Sequence, residues 1–161
     1  MRAYSRLSKV LAAGIVSILA FAAPARAQDK VEAGLEVWKG AACASCHGVF
    51  GQGGGGGEQP EGPSLRRTQL DKDNLKETVR CGRPGTPMPY FLRGAYAEAS
   101  CWGLPVGSTP KDVVRGGDLI PATDIDALAE YLFARVVGKS STITKAECAA
   151  YYGSPTHPRC L

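Results

Sequence analysis

The run Cys43-Ala-Ser-Cys46-His47 constrains this chain more than any other stretch. A thioredoxin-like C-x-x-C sits in a βαβ setting, whereas the flanks here read as a helix and then a glycine-rich loop. A zinc ribbon needs a second ligand pair at similar spacing, and the chain has no other C-x-x-C and no H-x-x-x-H. A plain structural disulfide between Cys43 and Cys46 is the simplest alternative. C-x-x-C-H is the spacing at which two thiols add across porphyrin vinyl groups, with the next histidine under the iron as proximal ligand. The motif therefore points to one covalently bound haem c.

The N-terminus reads as a targeting segment. Arg2, Arg6 and Lys9 form a positive region, Val10 to Phe21 an apolar run, and Ala25-Arg26-Ala27 an A-x-A cleavage site. The apolar run falls short of the roughly 20 residues that span a bilayer, so residues 1–27 read as a removable signal peptide. Such export predicts a periplasmic protein with no transmembrane anchor after cleavage. Processing at Gln28 would leave 134 residues with 15 Lys+Arg against 15 Asp+Glu, close to neutral. That balance points away from nucleic acid. Charge is nonetheless uneven. Arg66, Arg67, Lys72, Lys76, Arg80, Arg83 and Arg93 outnumber Asp71, Asp73 and Glu77, giving residues 66–93 a net charge of +4. A solvated helical face accounts for part of this, and a positive field also steers acidic partners.

Apolar periodicity predicts helices over 30–42, 71–80, 124–137 and 145–152. Val31, Leu35 and Trp38 share one face, and Asp71 and Gly82 bracket the second helix. Thr123 reads as the cap of the third, Gly138 as its stop, and Thr144 with Glu147 as a capping box for the last. Gly51 to Gly57 read as a flexible surface loop. No stretch alternates convincingly with period two, so the fold class is all-α, in one domain over 28–138 with a C-terminal extension over 139–161.

Met88 is the methionine that remains after processing, held in Pro87-Met88-Pro89, where it cannot join a helix. A thioether is a soft sixth ligand that raises haem potential. His157, in the Pro-flanked tail, is the competitor and reads as a surface residue.

These motifs, in order, resemble the class I monohaem cytochromes c of bacteria. The resemblance is carried by Gly34, Trp38, Cys43-Ala-Ser-Cys46-His47-Gly48, Gly62-Pro63-Ser64-Leu65, the Met88-Pro89 loop and Tyr131-Leu132, over roughly 30–137. It implies an N-terminal helix crossing the 124–137 helix, with Gly34 admitting Tyr131. It also implies that the Pro63 carbonyl accepts a hydrogen bond from His47 Nδ1, completing a set of Cys43, Cys46, His47, Pro63 and Met88. The long connection over 94–120 and the tail depart from the family pattern. With the start of the methionine loop they carry Cys81, Cys101, Cys148 and Cys160, and an even count in an exported chain favours two bridges. The local closures Cys81–Cys101 and Cys148–Cys160 have the smallest loop cost. The expected function is a one-electron carrier rather than an enzyme, with a periplasmic dehydrogenase as donor and an oxidase or another cytochrome as acceptor. The alternative is a fixed subunit of a periplasmic oxidoreductase acting on alcohols or sulfur compounds, which stable co-purification at high salt would distinguish.

Overall fold

The computed structural model describes residues 22–55 and 58–160. Five helices dominate: α1 (Ala22–Gly40), α2 (Cys43–His47), α3 (Lys72–Cys81), α4 (Ala122–Arg135) and α5 (Lys145–Tyr152). The expected signal region 1–21 lies outside the described residues, and residues 22–27 form the first turns of α1. This helix starts earlier than its apolar face suggests. Its opening stretch is alanine-rich, and Pro24 falls in the first turn, where a missing N–H costs nothing.

α1 and α4 cross in close contact and build the core from Leu35, Trp38, Ile125, Leu128 and Leu132. The crossing is possible because Gly34 has no side chain. A Cβ there would lie 2.7 Å from Tyr131 Cβ and closer still to the Ala127 carbonyl. α3 packs on α4 through Leu75 and Val79, closing a third side. Asp71 caps α3 by accepting from the Asn74 N–H, and Gly82 ends it with φ of 65°.

Helices dominate as expected, and one short ribbon adds to the all-α expectation. Residues Tyr90–Leu92 (β1) and Arg115–Ile120 (β2) form a two-stranded parallel ribbon with a register irregularity between Tyr90 and Leu92. Three residues are too few to show alternation, and Gly116-Gly117 dilutes the strand signal in β2. The ribbon ties the exit of the Met88 loop to the far end of the long connection, through Tyr90 N–H to the Val114 carbonyl at 2.9 Å. Both expected disulfides are present, Cys81–Cys101 and Cys148–Cys160.

Two local readings also change. Thr123 does not cap α4, because Pro121, fixed in extended backbone, occupies that position and the Thr123 hydroxyl turns to Asp124. The described part of the glycine run is pinned rather than loose. Gly53 N–H donates to the His47 carbonyl at 2.7 Å, and Gly55 N–H to the Cys46 carbonyl at 2.8 Å.

The C-terminal segment docks beside these loops. The capping box of α5 is complete, Phe50 packs edge-on against Tyr151, and the buried Arg66 pairs with Glu147 at 2.6 Å. Burial opposes charge on Glu147, but hydrogen bonds from Thr144 and Arg66 outweigh it and hold the carboxyl below its ordinary 4.5. A depressed folded value means that this carboxylate stabilises the fold above 4.5, and that its contribution is lost as pH falls through the lower folded value.

Two predictions follow from this packing. Gly34→Ala should destabilise the protein by about 1–3 kcal/mol or more in denaturant titration, although the same change in an open helix gains about 1 kcal/mol. Protection factors of the α5 amides, corrected for the slower intrinsic exchange in acid, should fall below pH 4.5, while those of α1 and α4 hold.

Candidate functional site

α2 begins where α1 ends, after a left-handed turn at Ala42 (φ 55°), so the C-x-x-C-H residues follow directly from the α1–α4 crossing. Trp38, 1% exposed, underlies α2, with its ring 6.5 Å from the His47 ring. Its Nε1 donates to the Val49 carbonyl at 3.1 Å, fastening the chain just past the motif. Cys43 and Cys46 are free thiols, so the structural-disulfide alternative does not describe them. Burial pushes the Cys43 thiol up to about 12, which keeps it protonated and slow in disulfide exchange near neutral pH.

His47 is buried, and its Nδ1 lies 2.9 Å from the Pro63 carbonyl. Burial lowers the imidazole below its ordinary 6.5, and the Pro63 contact pulls only partly the other way. The ring is therefore neutral at pH 7. With Nδ1 donating to Pro63, Nε2 is the nitrogen that retains a lone pair for a metal. The segment carrying Pro63 is drawn close by the Gly62 N–H, which donates to the Cys46 carbonyl at 2.7 Å. A Cβ at Gly62 would lie 2.8 Å from His47 Nδ1.

Cys43, Cys46, His47, Pro63 and Met88 all line one cavity of about 970 Å³. Its apolar wall comes from Leu75 and Val79 of α3, Leu128 and Leu132 of α4, and Phe91 of β1. Met88 is half-buried. The Met88 carbonyl accepts from Arg83 N–H at 3.0 Å, folding the proline-rich loop back onto the end of α3. His157 does not line the cavity; it stacks on Tyr152 with ring centres 4.0 Å apart.

Known proteins resemble this chain at the level of the family. Residues 29–104 match the family described as cytochrome c oxidase, cbb3-type, subunit III. Over 90 residues the chain is 40% identical to cytochrome c55X of Stutzerimonas stutzeri, covering 54% of this chain and 73% of that protein. No solved structure matches the chain. The chain is a class I c-type cytochrome. Membership implies haem c, and the cavity fits that group. Its size lies at the upper end of small-molecule sites, its walls are largely apolar, and two thiols and one neutral imidazole face it.

Some of the site was not foreseen. β2 and the residue before it bring Arg115 and Val114 to the cavity wall of the cytochrome, and no motif announces them, since an arginine before two glycines carries no signal. The basic run also divides. Arg66 is buried away from the cavity; Lys72, Lys76 and Arg80 pair with carboxylates; Arg67 and Arg83 line the cavity. Among the described residues, Arg67, Arg83 and Arg115 form no ion pair. No helix among the described residues is long and apolar enough to cross a membrane.

Gly62→Ala should force Pro63 away from His47. The expected result is a haem-loaded protein with a higher reduction potential, read by redox titration, because a less strongly hydrogen-bonded imidazole is a weaker donor to ferric iron.

Proposed function

We propose that this cytochrome is a periplasmic one-electron carrier, with one haem held covalently by Cys43 and Cys46 and ligated by His47 and Met88. The observation that carries the reading is the convergence of both thiols, the neutral imidazole and the thioether on a single apolar cavity. When bound, haem supplies reversible one-electron chemistry between ferric and ferrous iron. The chain's own residues then have distinct tasks. Pro63 orients His47 and raises its basicity. Met88 contributes a soft donor from a loop that the Cys81–Cys101 bridge and the β1–β2 ribbon hold on either side. The bridge and ribbon would restrain the loop that presents the Met88 thioether to the cavity.

Partner recognition falls to the cavity rim. Arg67, Arg83 and Arg115 carry unpaired positive charge there, beside the exposed apolar side chains of Leu70 and Val114. Guanidinium groups around an apolar patch suit brief docking of an acidic redox protein that weakens as salt screens the charges. The expected donor is a periplasmic dehydrogenase, and the expected acceptor is an oxidase or another cytochrome. Residues 1–27 act as the export signal in this reading, and residues 28–138 form the haem-binding domain with 139–161 appended.

The test is a pair of oxidised and reduced absorption spectra of exported protein, parent beside Met88→Ala. The parent should be low-spin with a methionine-to-iron charge-transfer band in the ferric state, and the variant should lose that band. Identical spectra would reassign the sixth ligand, and a colourless parent would end the proposal.

A further inference from the structure

Arg66 is the most deeply buried charge in the described structure, at 3% exposure, and the haem site itself does not use it. Its guanidinium makes three bonds. Nε donates to the Ser140 carbonyl at 2.6 Å, Nη1 to the Phe50 carbonyl at 3.3 Å, and Nη2 to Glu147 Oε1 at 2.6 Å. The Arg66 backbone is engaged as well. Its N–H donates to the Gly51 carbonyl at 3.3 Å, and its carbonyl accepts from Gly138 N–H at 3.0 Å. The partners fall into two groups, residues 50–51 just past His47 and residues 138–147 leading into α5.

Pro63 lies three residues before Arg66, and the intervening Leu65 N–H donates to the same Gly51 carbonyl at 2.8 Å. The stretch 63–66 is thus stitched to 50–51 at one edge, while its first residue supplies the acceptor for His47 Nδ1. A buried guanidinium is tolerated only while it is paired, and removing one partner of such a pair leaves an uncompensated buried charge. Among the described residues Glu147 is the carboxylate that pairs with Arg66, and the Thr144 hydroxyl and N–H hold Glu147 in turn. Without Glu147 the guanidinium would be a desolvated, unpaired cation, and a shift of 64–67 toward water would relieve it while drawing the Pro63 carbonyl off the imidazole.

We propose that Glu147, acting through Arg66, is a positioning residue for the His47–Pro63 hydrogen bond, so that the C-terminal helix helps set the haem potential. This inference rests on the reading of His47 as haem ligand. It differs from simple bracing of α5, which would change stability and leave the iron's proximal ligand untouched.

The experiment compares haem-loaded parent, Glu147→Gln, Thr144→Ala and Glu130→Gln. The last removes one carboxylate from the surface pair with Lys72 and controls for net charge. Two readouts are taken: the reduction potential, and the solvent exchange of the His47 Nδ1–H proton in the reduced protein by NMR. Glu147→Gln should raise the potential and speed the exchange at least tenfold. Thr144→Ala should move both in the same direction by less, and Glu130→Gln should move neither. Parental potential and exchange in Glu147→Gln overturn the proposal, as does an equal shift in Glu130→Gln. If Glu147→Gln fails to mature, Thr144→Ala decides: a shift in the stated direction supports the coupling, and parental values overturn it. A parent without covalent haem overturns the ligand reading and this inference together, whereas a haem-loaded parent with unresponsive variants overturns only the inference.

Discussion

The close approach of α1 and α4 at Gly34 is the contact on which the rest of the molecule depends. It lets Trp38 reach the core with its indole under the His47 ring and its Nε1 on the Val49 carbonyl. It also sets the point from which α2 starts, and hence where both thiols and the imidazole stand. A few ångströms of separation at one residue therefore decide whether a short helix at the end of α1 can present three functional side chains to one cavity. No local propensity in α2, five residues long, would hold it there unaided.

The opposite wall is built by different means. α3 supplies apolar surface through Leu75 and Val79, but the methionine loop after it has no regular structure of its own. It is confined by a covalent bridge across residues 81–101, by the parallel pairing of 90–92 with 115–120, and by the Tyr96 hydroxyl, which donates to the Cys81 carbonyl at 2.8 Å. One half of the site is thus held by helix packing and the other by long-range ties, which suits a ligand that must arrive from an irregular segment.

Much of this was legible in the sequence, and the reasons differ by element. The helices at 72–81 and 145–152 carried both a face and their caps, and Asp71, Gly82, Thr144, Glu147 and Gly153 do what their residue types suggest. The C-x-x-C-H motif and the Pro-flanked methionine stood out by residue type and spacing, and the fold brings both to one cavity. The ribbon was not, since its strands are stabilised by what they join rather than by their own residues. Arg66 was read as one more charge in a basic run. Sequence reports charge but not depth, and only the fold shows that this guanidinium is satisfied from residues 74 and 81 positions away. Arg115 entered the cavity wall for the same reason, carried there by a strand with no motif.

The depth of Arg66 has a consequence for how chains of this kind can vary. A change at Glu147 alone strands the Arg66 guanidinium without its carboxylate, at a cost of several kcal/mol, so the two positions tolerate substitution as a pair rather than singly.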